Sequence, residues 1–251
     1  GGWLADLAER PLAADVHSAT GAVIHNLHRD YDKKTRLPQS LVEELARTAV
    51  LGQREWAAAR QENDFARFQP LLEKTVELKR QEAAALGFDE SPYDPLLDDY
   101  EPGESTSEVT GVLAGLRDEL VPLVQQIAES GRHPQLEILK RHYPVDAQEE
   151  FGKQAAAAIG FDFNAGRLDV TDHPFCTELG PQDTRLTTRY DEHAFSGGFY
   201  CILHEAGHGI YEQGLLDDNF GLPTGEYVSL GIHESQSRLW ENLVGRSRPV
   251  W

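Results

Sequence analysis

Apolar positions in the first 160 residues of the chain recur with helical spacing. Residues 12–32 keep that period but have weak caps. Pro38 suits the first position of a helix running to about Asn63, with Leu41, Leu45, Ala49 and Trp56 on one stripe. Asp64 can cap the next helix, through Leu71, Leu72, Val76 and Leu78 to Leu86, and Gly87 stops it. Pro70 falls near its first turn or marks a kink. Residues 91–104 form a loop rich in Pro, Asp and Gly, read as a solvated acidic loop rather than a cation site. Another helix spans residues 105–130 and closes at Gly131. Asp146-Ala147-Gln148-Glu149 has the form of a capping box opening a helix to Ile159.

The pattern changes after Gly160. Residues 167–171 and 183–189 are short, alternating and rich in β-branched side chains, which predicts two strands. Helix returns at residues 194–214. A loop at 215–226 leads to a last helix at 228–244. The predicted fold class is mainly α, with a small β-sheet beside the helix of residues 194–214. Residues 1–160 form a helical region and 161–251 a second region of sheet plus two helices, in one continuous domain.

The chain of 251 residues is long enough for a sizeable core. With 42 acidic and 23 basic residues its formal charge is −19, which argues against nucleic acid and anionic membrane as partners. No apolar run approaches a membrane span, and no signal-peptide pattern opens the chain. Two cysteines, Cys176 and Cys201, imply no disulfide framework and fit a reducing cytoplasm. The chain has no methionine and stops directly after a helical pattern, so a chain truncated at both ends is expected.

The chemistry is concentrated in His204-Glu205-Ala206-Gly207-His208. Histidines at i and i+4 project from one helix face and can reach one metal ion. By itself the motif is short enough to arise as two packed histidines and a glutamate. Catalytic zinc takes three protein ligands and keeps a position for water. Glu234, on the next predicted helix, completes a two-histidine, one-carboxylate set. His233 is its rival, but adjacent helical residues point about 100° apart. We prefer Glu234 as ligand and assign His233 a hydrogen bond to substrate or water. Glu205 is then the general base that takes the proton of an activated water. No group that would stabilise the developing oxyanion is evident.

Four blocks in order extend the motif: His173-Pro174-Phe175, Asp183-Thr184-Arg185-Leu186-Thr187, His204 to His208, and His233-Glu234-Ser235-Gln236. In these the chain resembles the carboxypeptidase Taq family of metallocarboxypeptidases. The resemblance implies a helical, neurolysin-like peptidase framework with a deep groove, one wall of which comes partly from residues 1–160. It implies a cytoplasmic homodimer that removes single residues from peptide C-termini, with one zinc ion per chain, or cobalt in its place. It also implies His204, His208 and Glu234 as ligands and Glu205 as base. Later motifs of the family, I-R-x-x-A-D and G-x-x-Q-D-x-H-W, fall beyond the end of this chain. Alternatives are a metallo-oligopeptidase or endopeptidase on the same core, and an inactive fragment.

Arg185 is a candidate anchor for a substrate carboxylate, or else the partner of Asp183. His173 is expected to shape a loop bordering the groove. Tyr190, Asp191 and Glu192 are candidate acceptors for the ligand histidines' other ring nitrogens. Position 238 is Arg, so no carboxylate stands four residues past Glu234.

Overall fold

A computed structural model describes residues 2–251. Its backbone falls into two compact units, which divide after Gly115.

The first unit is helical: α1 (Gly2–Ala8), α2 (Ala19–Arg36), α3 (Gln39–Glu62), α4 (Phe65–Leu86), a short α5 (Asp94–Leu97) and the start of α6 (Thr106–Glu129). Helix α3 pairs with α4 across a two-residue turn. Asn63 takes the left-handed conformation there (φ 51°), and the Asp64 side chain accepts from the Arg67 amide. Gly87 ends α4 at φ 82°, as its sequence position predicts. Pro70 lies inside α4, and the helix continues through it.

The stretch at residues 12–32 is only partly helical, because Pro11–Ala13 forms a separate 3-10 turn and α2 begins after the Ser18 cap. The acidic loop is tied down by its own unit. Asp98 takes Arg29 at 2.8 Å and Lys33 at 2.9 Å, and Asp94 accepts from the Thr106 amide at 2.8 Å. Helix α6 buries none of its residues, although Val112, Leu116, Leu120, Val124 and Ile127 are apolar.

The second unit contains α7 (Val145–Ala158), strands β1 (Gly166–Val170), β2 (Cys176–Glu178) and β3 (Thr184–Thr188), α8 (Phe195–Gln213) and α9 (Leu230–Arg238). The capping box expected at Asp146 does not form. Helix α7 starts two residues earlier behind Pro144, and Asp146 bonds the Ala147 amide. Gln148 is buried and donates to the Tyr143 and Asp191 carbonyls instead.

Strand β3 is central, parallel to β1 and antiparallel to β2. Strand β2 is too short to show a period, and the sequence pattern did not reveal it. It returns to β3 through a tight turn in which Asp183 donates to the Gly180 carbonyl and Gln182 adopts φ 68°.

The register sets Leu168, Leu186 and Cys176 side by side across the three strands. This row packs with Ala156, Phe161, Ile202 and Ala206 into the core of the unit. Helix α8 therefore lies on the sheet through Ile202 and Ala206, with Gly209 where a Cβ would come within 2.6 Å of Phe161 and 2.9 Å of Leu186. Leu186 is fully buried. Leu186→Ala should cost about 2–5 kcal/mol of unfolding free energy by the transfer and cavity terms. Urea unfolding checks this, and a loss below about 1 kcal/mol would mean that the row is not the core.

Candidate metal centre

Three packing contacts fix the direction of α8. Ile202 faces the sheet and α7, where a Cβ at Gly152 would stand 2.3 Å from Cδ1 of Ile202. Gly207 faces α9, where a Cβ would lie 2.7 Å from the Gln236 carbonyl oxygen. The missing side chain lets the α9 backbone approach α8 this closely. His204 and His208, four apart, share the remaining face. Ser229 caps α9 by accepting from the Ile232 amide, so the register of Glu234 is set at the helix start.

The side chains of His204, His208 and Glu234 converge, each offering one ligand atom within 4.8 Å of the others. Glu234 Oε2 lies 3.2 Å from His208 Nε2 and 3.6 Å from His204 Nε2. Donors bound at about 2.0–2.2 Å in a tetrahedron are about 3.4 Å apart, so the donor set and its spacing fit zinc.

The ring nitrogens that face away from this cluster are also engaged. His204 Nδ1 lies 3.0 Å from Glu241 Oε2. Glu241 is held by Arg238 at Oε2 and by Arg246 at Oε1, both at 2.9 Å. The Arg246 guanidinium is also stacked 3.9 Å over Tyr200. Although burial opposes it, hydrogen bonds from His204 and Arg246 keep the Glu241 carboxyl below its ordinary pKa. Arg238 bonds Glu234 Oε1 at 2.9 Å, so it orients that carboxylate through the oxygen that is not the one nearest the histidines.

On the other side, His208 Nδ1 lies 2.5 Å from His233 Nδ1, and His233 Nε2 lies 2.6 Å from Glu212 Oε1. Burial, then the neighbouring His233 and His204 rings, push His208 well below the usual imidazole pKa. Both nitrogens of His233 thus face protein groups. The expected hydrogen bond from His233 to substrate or water is replaced by these two.

Glu205 is 6 % exposed, and its carboxylate makes no hydrogen bond among the described residues. Burial, then repulsion from Glu234 and Glu241, push its pKa up to about 8 in the metal-free protein. A divalent ion at the three ligands would oppose that rise.

Among the described residues, the other candidate site residues are not part of this three-residue cluster. Arg185 makes a bidentate pair with Asp183, both bonds 2.9 Å, and both side chains are more than 40 % exposed. His173 is exposed in the link from β1 to β2 and is not part of the ligand cluster. Tyr190, Asp191 and Glu192 do not back the histidines. The Tyr190 hydroxyl is buried without a partner, Asp191 Oδ1 accepts from the His193 amide, and Glu192 pairs with His142.

The supporting groups that sequence reading missed are Glu212, Arg238 as a brace, and Glu241. Two had a signal. Glu212 is one helical turn past His208, and Glu241 is two turns past Glu234.

A helix bearing His-Glu-x-x-His, joined by a carboxylate from the next helix and standing on a small sheet, defines a metallopeptidase core. The carboxypeptidase Taq (M32) metallopeptidase model matches residues 3–251, and the chain belongs to that family. It is 41 % identical over 260 residues to thermostable carboxypeptidase 1 of Thermus thermophilus, covering 100 % of this chain and 51 % of that protein. With carboxypeptidase 1 of Bacillus subtilis it shares 34 % identity over 237 residues, covering 94 % of this chain and 47 % of the relative.

Among solved structures, that of BsuCP superposes with a TM-score of 0.92 at 34 % identity, and the M32 carboxypeptidase of Deinococcus radiodurans R1 with 0.85 at 39 %. Each match covers 98 % of this chain and 49 % of the solved one. The chain spans about half the length of the curated relatives it matches. No described helix is long and apolar enough to cross a membrane.

Proposed function

We propose that the chain carries the metal-binding half of a zinc-dependent carboxypeptidase that removes single residues from peptide C-termini. One zinc ion per chain, or cobalt in its place, would be held by His204, His208 and Glu234. The observation that carries this reading is the convergence of two imidazole nitrogens and one carboxylate oxygen at His204, His208 and Glu234, with buried Glu205 next to His204 on the same helix. Membership of a metallopeptidase family supports it.

A bound zinc ion supplies Lewis acidity and brings the pKa of a water toward neutrality. The chain's own residues do the rest. Glu205 would accept a proton from the attacking water and pass it to the leaving amine as the peptide C–N bond breaks. Glu241 and Arg238 hold His204 and Glu234 in place while charge develops. Exposed Arg185 and His173 are the groups on this chain proposed to meet the substrate's carboxylate and flank. We further propose a cytoplasmic homodimer, a reading that rests on the family resemblance and on two free cysteines.

Amidation of the peptide C-terminus tests the proposal. The zinc-loaded protein should cleave a free-acid peptide one residue at a time and lose most of that turnover on the amidated form. Equal cleavage of both, or release of internal fragments, would make it an oligopeptidase instead.

A further inference from the structure

We infer that His233 and Glu212 form a relay that sets the tautomer and ring orientation of His208, so that His233 is a positioning residue rather than a substrate contact. The inference rests on the reading of His208 as a metal ligand.

A ligand nitrogen must present a lone pair. His208 directs Nε2 toward Glu234 Oε2, so its proton must sit on Nδ1. That atom lies 2.5 Å from His233 Nδ1, and two ring nitrogens so close cannot both carry protons. With His208 Nδ1–H as donor, His233 accepts on Nδ1 and must hold its own proton on Nε2. There it meets Glu212 Oε1 at 2.6 Å, an acceptor that needs a donor. The reverse tautomers would set the lone pair of His233 Nε2 against a carboxylate oxygen in a buried pocket, and would leave a proton on the nitrogen intended for the metal. A doubly protonated His233 would satisfy Glu212 but would also force the proton of His208 onto Nε2. Only one arrangement serves both the ligand role and the buried carboxylate: His208 Nδ1–H to His233 Nδ1, and His233 Nε2–H to Glu212.

The relay has little freedom to move. The side chains of His233 and Glu212 are 12 % and 9 % exposed. Tyr211 and Tyr227 meet the His233 ring edge-on at 5.3 and 5.0 Å, and the His208 ring lies 4.5 Å away. Glu178 of β2 abuts Glu212, and burial, then that neighbouring carboxylate, raises the Glu178 carboxyl above its ordinary pKa. The two ligand histidines are therefore each backed by a carboxylate. For His204 it is Glu241 directly, and for His208 it is Glu212 through an imidazole. Because His233 precedes Glu234 in sequence, the seating of α9 against α8 delivers a ligand and a brace together.

Two readouts independent of turnover test the relay: zinc affinity by chelator competition, and 15N-histidine spectra of the zinc-loaded protein. Wild type should show His208 protonated on Nδ1 and His233 on Nε2. Glu212→Gln and His233→Phe should bind zinc about 10–100-fold more weakly. In zinc-loaded Glu212→Gln the Nε2–H resonance of His233 should shift upfield, because its carboxylate acceptor is gone. The Glu212→Gln spectra decide the question even where His233→Phe fails to fold. Zinc binding within twofold of wild type, or an unshifted His233 resonance in Glu212→Gln, would overturn the relay and leave the metal site standing. Wild-type protein that binds no more zinc than Glu234→Gln would instead overturn the ligand reading.

Discussion

Glu205→Gln is expected to keep its zinc and to lose peptide hydrolysis by about 10²–10⁴-fold, the usual contribution of a positioned general base. Glutamine preserves the size of the side chain and its place in the wall of the site, but it cannot take a proton from water. Glu205 is suited to the role because helix packing buries it and, among the described residues, no hydrogen bond holds its carboxylate. The three ligand side chains are untouched, so metal content should stay near one ion per chain. Rates with a free-acid peptide and zinc per chain by elemental analysis are the two measurements. A variant with wild-type turnover would rule out Glu205 as base. A variant that lost its zinc would show the carboxylate to be part of the metal's own shell.

The second large effect concerns stability. A ligand bound only by the folded state adds RT ln(1 + [L]/Kd), about 2.7 kcal/mol at a hundredfold excess over Kd. Zinc should raise the denaturation midpoint of the wild-type protein by that order, and chelation should remove the gain. His208→Ala and Glu234→Ala should lose the zinc-dependent gain at the same concentration, because two remaining ligands cannot close the site. Both variants should fold in the absence of metal. Glu234 is nearly half exposed, and the core of the unit is built from Leu186, Ile202 and their neighbours rather than from the ligands. Unfolding curves with and without zinc check this. Zinc stabilisation that survives in both variants would place the ion elsewhere.

Helices α3, α4 and α8 were legible from apolar residues at helical spacing. Helix α4 also carries a cap at Asp64 and a stop at Gly87, whereas α3 and α8 start without a side-chain cap. The capping box at Asp146 failed because a competing start was available at Pro144, and because Gln148 was drawn inward to two carbonyls. Strand β2 could not be read, since three residues show no period and pairing with β3 alone makes them a strand. The predicted helix at 228–244 splits into α9 and a π-helical turn, Leu239–Val244, which carries Glu241 to His204.

By itself, the sequence determined which residues share a helix that can present them together. His204, His208 and Glu205 share one helix, so their relation follows from 3.6 residues per turn and needs no tertiary information. It also pointed to Glu234 as the completing ligand. The tertiary structure alone decided how those residues are held. Glu241, Arg238, His233 and Glu212 reach the ligand set from α8, α9 and the turn that follows, through hydrogen bonds that depend on how closely two helices approach. That approach is set by the absence of a side chain at Gly207, facing the α9 backbone. Spacing within one helix is a property of the local chain, whereas the distance between helices is settled by the packing of every residue between them.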